Sequence, residues 1–131
     1  MATSALIVGC SDGRPKRVPV SGVVKIDGVP LTNGFITLVP PKGRNSHGNI
    51  DDQGRFTLMT YKPGDGATVG TLKVEVVGRE SLSETQARWL APKKYADRTT
   101  SELEVEITEP TDSLVIDLTW DGGKPFIETD M

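Results

Sequence analysis

Val18-Pro19-Val20-Ser21-Gly22-Val23-Val24-Lys25-Ile26 is the stretch that decides the fold. Val18, Val20, Gly22, Val24 and Ile26 fall on one side of an extended chain, Ser21 and Lys25 on the other, and Val23 is an apolar exception. A period of two is that of a β-strand with one face toward a core and one toward water. Asp27-Gly28 then marks a turn, and Pro30 interrupts pairing because it has no N–H to give.

The same period recurs outward from this strand. Phe35-Ile36-Thr37-Leu38-Val39 is apolar on both faces and reads as a central strand stopped by Pro40-Pro41. Ser46–Ile50 and Arg55–Thr60 flank Asp51-Asp52-Gln53-Gly54, a hairpin in which Gly54 supplies positive φ and Phe56 and Leu58 point inward. In Thr71–Val77, Leu72, Val74 and Val76 point inward and Lys73 and Glu75 outward. Leu103, Val105 and Ile107 alternate with Glu102, Glu104 and Glu106, and Leu114, Ile116, Leu118 and Trp120 alternate with Val115, Asp117 and Thr119. One segment breaks the period. Ser81 and Glu84 fit a capping box, Leu82, Gln86, Trp89 and Leu90 lie near helical spacing, and Pro92 ends the run, which predicts a short amphipathic helix near 82–90. The expected fold class is all-β: about seven strands in two antiparallel sheets packed roughly 10 Å apart, with that helix inserted.

Composition agrees. The 131 residues make one domain, and 14 Gly with 9 Pro supply many tight turns. The net charge is -3, which speaks against a nucleic-acid partner held by electrostatics. A single Cys forms no intrachain disulfide, and one Cys with one His does not supply a zinc site of the usual kind, so the expectation is no cofactor. No apolar run approaches the roughly 20 residues of a membrane helix.

Residues 1–17 read differently from the body. Ile7-Val8-Gly9-Cys10 resembles the end of a bacterial lipoprotein signal, in which the Cys is lipidated and becomes the mature N-terminus. Met1 to Gly9 carry no Lys or Arg and the apolar stretch is short, a departure from such a signal: either the true start lies upstream and the segment is its remnant, or the likeness is chance. A polar and basic spacer follows, Ser11-Asp12-Gly13-Arg14-Pro15-Lys16-Arg17. Each buried lipid methylene contributes roughly 0.8 kcal/mol, so several acyl chains on Cys10 would hold a small domain on a membrane. The expected organisation is this segment over 1–17, a β-sandwich over 18–120 and a flexible tail over 121–131, where Gly122-Gly123 onward has no period.

Several segments in order carry a family resemblance. They are Val20-Ser21-Gly22-Val23-Val24, Asp27-Gly28-Val29-Pro30-Leu31, Asp52-Gln53-Gly54-Arg55-Phe56-Thr57-Leu58, Tyr61-Lys62-Pro63-Gly64-Asp65-Gly66-Ala67 and Gly70-Thr71-Leu72-Lys73-Val74, then Pro92-Lys93-Lys94-Tyr95 and Thr100-Ser101-Glu102-Leu103. Over residues 18–119 the chain resembles a carboxypeptidase regulatory-like domain, a transthyretin-like (prealbumin-like) sandwich, of the kind found in small planctomycete-type lipoproteins. The resemblance implies Greek-key connectivity, an extracytoplasmic place on a membrane, and an accessory domain without catalytic residues of its own. The same fold hosts hydroxyisourate hydrolase, but that enzyme's His-and-Arg site and C-terminal Tyr-Arg-Gly-Ser have no counterpart in a chain with His47 alone and the ending Phe126-Ile127-Glu128-Thr129-Asp130-Met131.

Other candidate chemistry is sparse. His47 has no nucleophile and carboxylate placed with it by sequence. Asp51-Asp52-Gln53-Gly54 offers oxygens to Ca²⁺ but lacks the final bidentate acid of an EF-hand, and turn chemistry explains it. Glu102, Glu104 and Glu106 read as a solvated acidic stripe. Tyr61, Trp89 and Tyr95 are aromatics outside the clear strands and the candidates for a ligand platform. The leading expectation is a non-enzymatic, lipid-anchored structural or interaction domain of the cell envelope, whose partners are the membrane and an envelope protein or polysaccharide. The alternative is a binding module for envelope carbohydrate or peptide, using the loop Tyr61–Ala67 and the segment bearing Trp89.

Overall fold

The computed structural model of the chain describes residues 16–129. Thirteen strands form there: β1 (Arg17–Val18), β2 (Val20–Ile26), β3 (Val29–Pro30), β4 (Gly34–Val39), β5 (Ser46–Ile50), β6 (Arg55–Thr57), β7 (Ala67–Thr68), β8 (Gly70–Val77), β9 (Arg79–Ser81), β10 (Gln86–Trp89), β11 (Glu104–Ile107), β12 (Thr111–Leu118) and β13 (Phe126–Thr129). One 3₁₀ turn, Lys93–Ala96, interrupts them.

Two larger sheets carry the core. One is antiparallel in the order β11-β8-β4-β5. In the other, β2 lies between β12 on one side and β3 and β6 on the other. The inner faces meet in one apolar cluster: Val20, Val24, Phe56, Ile116 and Leu118 from the second sheet, and Ile36, Leu38, Ile50, Leu72, Val74, Val76 and Ile107 from the first. All but Ile36, Leu38 and Ile50 are residues that the period of two turns inward, and Phe35–Val39 lies in a central strand as expected. The chain is thus mostly β, with its apolar stripes closed against each other.

Three features differ from expectation. The first is the absence of a helix over 82–90. Leu82 and Ser83 donate their N–H groups to the Gln86 carbonyl, and the Ser83 hydroxyl accepts from the N–H groups of Thr85 and Gln86. This side chain closes a hairpin turn between β9 and β10, the competing use of serine that makes it a poor helix interior residue. Burial along β10 then alternates, with Ala87 and Trp89 buried and Gln86 exposed. The second is direction: β12 runs parallel to β2, with Leu114 opposite Gly22 and Leu118 opposite Ile26. The connection after β11 carries the chain across to the second sheet at the end where Val20 begins β2, and Thr111 donates to the Pro19 carbonyl there. Starting at that end leaves only one direction open. Gly22 permits the approach, since a Cβ at this position would lie 1.9 Å from the Leu114 carbonyl oxygen. The third is that Phe126–Thr129, set apart in sequence as a tail, pairs along β10 from Gln86↔Thr129 to Trp89↔Phe126.

Candidate functional site

Three chain segments converge on Tyr61. The Arg17 guanidinium lies 4.7 Å from its ring centroid and that of Arg44 5.0 Å from it, both within cation–π range. Arg17 belongs to β1, Arg44 to the connection from β4 to β5, and Tyr61 to the loop after β6. Asp65 fastens that loop. Its carboxylate accepts the N–H groups of Thr60 (2.7 Å), Tyr61 (3.0 Å) and Lys62 (3.3 Å) and lies 3.3 Å from Arg17 Nε. Burial of this side chain, 6% exposed, works to raise its pKa; the three N–H groups and the guanidinium outweigh that and hold the carboxyl below its ordinary range. Gly66 closes the loop with φ +82° and its Cα so near Val18 that a Cβ would lie 1.7 Å from the Val18 carbonyl oxygen. Beneath it the Ser46 and Thr60 hydroxyls bond at 2.8 Å, and Thr60 donates to the Gly66 carbonyl.

Trp89 and Tyr95 stand elsewhere. Trp89 is buried on β10, stacked on Phe126 with centroids 6.4 Å apart, while Trp120 meets Phe126 edge-on at 6.3 Å. Its indole Nε1 donates to Glu128 Oε1 at 3.0 Å, and Arg79 and Lys93 lie over its ring. Lys93 also pairs with Glu128, and these two partners hold the Glu128 carboxyl below its ordinary range. Tyr95 is 4% exposed in the 3₁₀ turn, where its hydroxyl accepts from the Thr119 N–H and donates to the Thr119 carbonyl. Tyr61, Trp89 and Tyr95 share no partner in these contacts. Cys10 lies outside the described residues.

The remaining candidates resolve into turns and faces. Asp51 Oδ1 accepts the N–H groups of Gln53 and Arg55, and those bonds set its carboxyl below the ordinary range. Glu104 and Glu106 are exposed on β11, Glu104 opposite Lys73, and Glu102 precedes the strand with φ 61°. His47 is exposed on β5, opposite Thr37 and bridged to Met59. The residue missed by sequence reasoning is Phe35. It stands 46% exposed on the outer face of β4, beside a depression of ≈ 360 Å³ that it lines with Thr37, Asn45, His47, Gly48 and Asn49. The available signal was the alternation within Phe35–Val39 itself, in which Ile36 and Leu38 share one face and Phe35 and Thr37 the other.

Comparison with family models, with curated proteins and with solved structures returns no match to this chain.

Proposed function

We propose that the chain is a non-enzymatic β-sandwich of the cell envelope, held outside the cytoplasm by lipid on Cys10 and acting as a structural or protein-interaction domain. In this reading β2, β4, β5, β6, β8, β11 and β12 are the seven strands of a transthyretin-like Greek key of the carboxypeptidase regulatory-like kind. The observation that carries it is the employment of the polar side chains. Asp51, Asp65 and Asp97 accept backbone N–H groups, the Ser46 and Thr60 hydroxyls bond each other, and the polar atoms of Trp89 and Tyr95 are engaged by Glu128 and Thr119. Each of these groups holds a turn or joins two elements, which is the work of a scaffold. The test is mass spectrometry of the native protein after fractionation. The expected result is a mature chain beginning at acylated Cys10 in the membrane fraction; an unmodified Cys10 in the membrane-free fraction overturns it.

A second reading, a binding module for envelope carbohydrate or peptide, is favoured by Phe35. An exposed ring flanked by the amides of Asn45 and Asn49 and the imidazole of His47 combines an apolar platform with hydrogen-bonding groups. Affinity electrophoresis in envelope polysaccharide tests it: retardation lost in Phe35→Ala supports it, and equal mobility with and without polysaccharide removes it.

A further inference from the structure

We propose that the face around Tyr61 docks on an anionic lipid headgroup surface. This inference rests on the membrane-anchored reading for its occupant. The fold brings Arg17 of β1 and Arg44 of the connection between β4 and β5 to the Tyr61 ring, and Lys16, Lys42 and Lys62 lie within two residues of these three along the chain. Lys16, Lys42, Arg44 and Lys62 are exposed, while Arg17 is half-buried against Asp65. The nearby acid, Asp65, is turned inward and engaged by three N–H groups, so it leaves little negative charge at the surface. Asp112 bounds the face on the side where it shares a depression with Pro19 and Gly64. With Arg17 paired to Asp65, a chain of net charge -3 thus carries four exposed cations, Lys16, Lys42, Arg44 and Lys62, on the three segments that meet at Tyr61.

Where the chain runs next selects the partner. Lys16 follows Cys10 by six residues, a span of at most about 20 Å when fully extended. A lipid on Cys10 would therefore keep Lys16, and with it Arg17 and the Tyr61 loop, within reach of the headgroups. One lipid signal combined with a basic patch is the pairing that makes peripheral attachment stable. Tyr61, half-buried with the Arg17 and Arg44 guanidinium groups 4.7 and 5.0 Å from its ring centroid, is an amphipathic residue of the kind enriched at membrane interfaces.

The test uses the full chain carrying Cys10→Ser, so that no acyl group contributes. Sedimentation with phosphatidylcholine vesicles is compared with sedimentation with mixed phosphatidylcholine–phosphatidylglycerol vesicles. The expected result is binding to the mixed vesicles only, weakening as salt is added. Each neutralised Lys or Arg is expected to cost roughly fivefold in affinity, so Lys42→Gln, Arg44→Gln and Lys62→Gln together should cost about 100-fold. The same charge change on Lys25, Arg88 and Lys124 should leave binding nearly as it was, and matched thermal melts check that both triple variants fold. Equal binding to both vesicle types, no binding, or an unaffected Tyr61-side triple variant would overturn the proposal. Capture on a heparin column without vesicle binding would overturn it too, since the partner would then not be lipid. The anchor itself is read separately from the mass of native Cys10, so either reading fails without the other.

Discussion

The two-sheet core and the small sheet β9-β10-β13 are held by different physics. In the core, Val24, Ile36, Leu38, Leu58, Leu72, Val74 and Val76 are all 0% exposed, and exclusion of water is the dominant force. In the small sheet, Phe126 and Ile127 are 40% and 52% exposed, and order comes from contacts with direction: a stacked and an edge-on aromatic pair, two cations over Trp89, and Glu128 bonded to both Trp89 and Lys93. The lesson is that one part resists through volume and the other through geometry. The two should therefore yield to different substitutions.

Leu72→Ala should give the largest loss. It removes a fully buried side chain from the middle of β8, and comparable truncations cost about 2–5 kcal/mol. Urea unfolding read by circular dichroism would measure it. A loss below that range would mean that the layers slide closed over the void, and the contrast with the small sheet would fade.

The same contrast separates what the sequence made legible from what it did not. A strand with one face in an apolar core must show a period of two, so β2, β8 and β12 could be read directly from Val20–Val24, Leu72–Val76 and Leu114–Leu118. β13 packs as an edge with most of its residues exposed, so Phe126–Thr129 carries no period to read. The hairpin of β9 and β10 was obscured because Ser81-x-x-Glu84 suits a helix start equally well. The Ser83 side chain closes the turn, and β10 pairs on its other side with Phe126–Thr129, a partner that no local pattern encodes. Nor does alternation encode direction, so the parallel run of β12 along β2 was invisible. Of the candidate site, the loop of Tyr61 was visible as a loop, whereas its convergence with Arg17 and Arg44 depends on how three distant segments close one end.

Asp65→Asn sharpens the comparison with a directional fastening set against the core end. Hydrogen bonds to a charged group contribute about 1.5–3 kcal/mol, and the amide retains part of them, so a loss of about 1–3 kcal/mol at neutral pH is expected. The sign with pH follows from the depressed carboxyl. Its stabilisation is complete above the unfolded value near 3.8 and is lost as pH falls through the lower folded value. Denaturation of both proteins across pH 7 to about 2 should show the gap narrowing only below about pH 4. A gap that stays constant over that range would assign the loss to packing rather than to charge.

Phe126→Ala tests the small sheet itself. Its ring stacks on Trp89 yet is 40% exposed, so the loss should be near the worth of an aromatic pair, about 0.5–1.5 kcal/mol. Trp fluorescence should change more than the global midpoint. If Phe126→Ala cost as much as Leu72→Ala, the small sheet would belong to the core's cooperative unit, and the comparison would break.

Arg88→Ala should have the smallest effect, although its ion pair looks well made. Arg88 Nη1 lies 2.9 Å from Glu80 Oε1 across β10 and β9, but the two side chains are 42% and 40% exposed. Water screens such a pair, and ordering two long side chains opposes it, which leaves about 0.2–1 kcal/mol before salt. The discriminating measurement is a double-mutant cycle with Glu80→Ala at low and high salt. A coupling that vanishes with salt places the pair among surface contacts and leaves the aromatic stack and Glu128 as what orders the sheet. A coupling that persists at high salt would show that β9 and β10 are fastened by charge after all, and that geometry in this sheet extends to its solvated side.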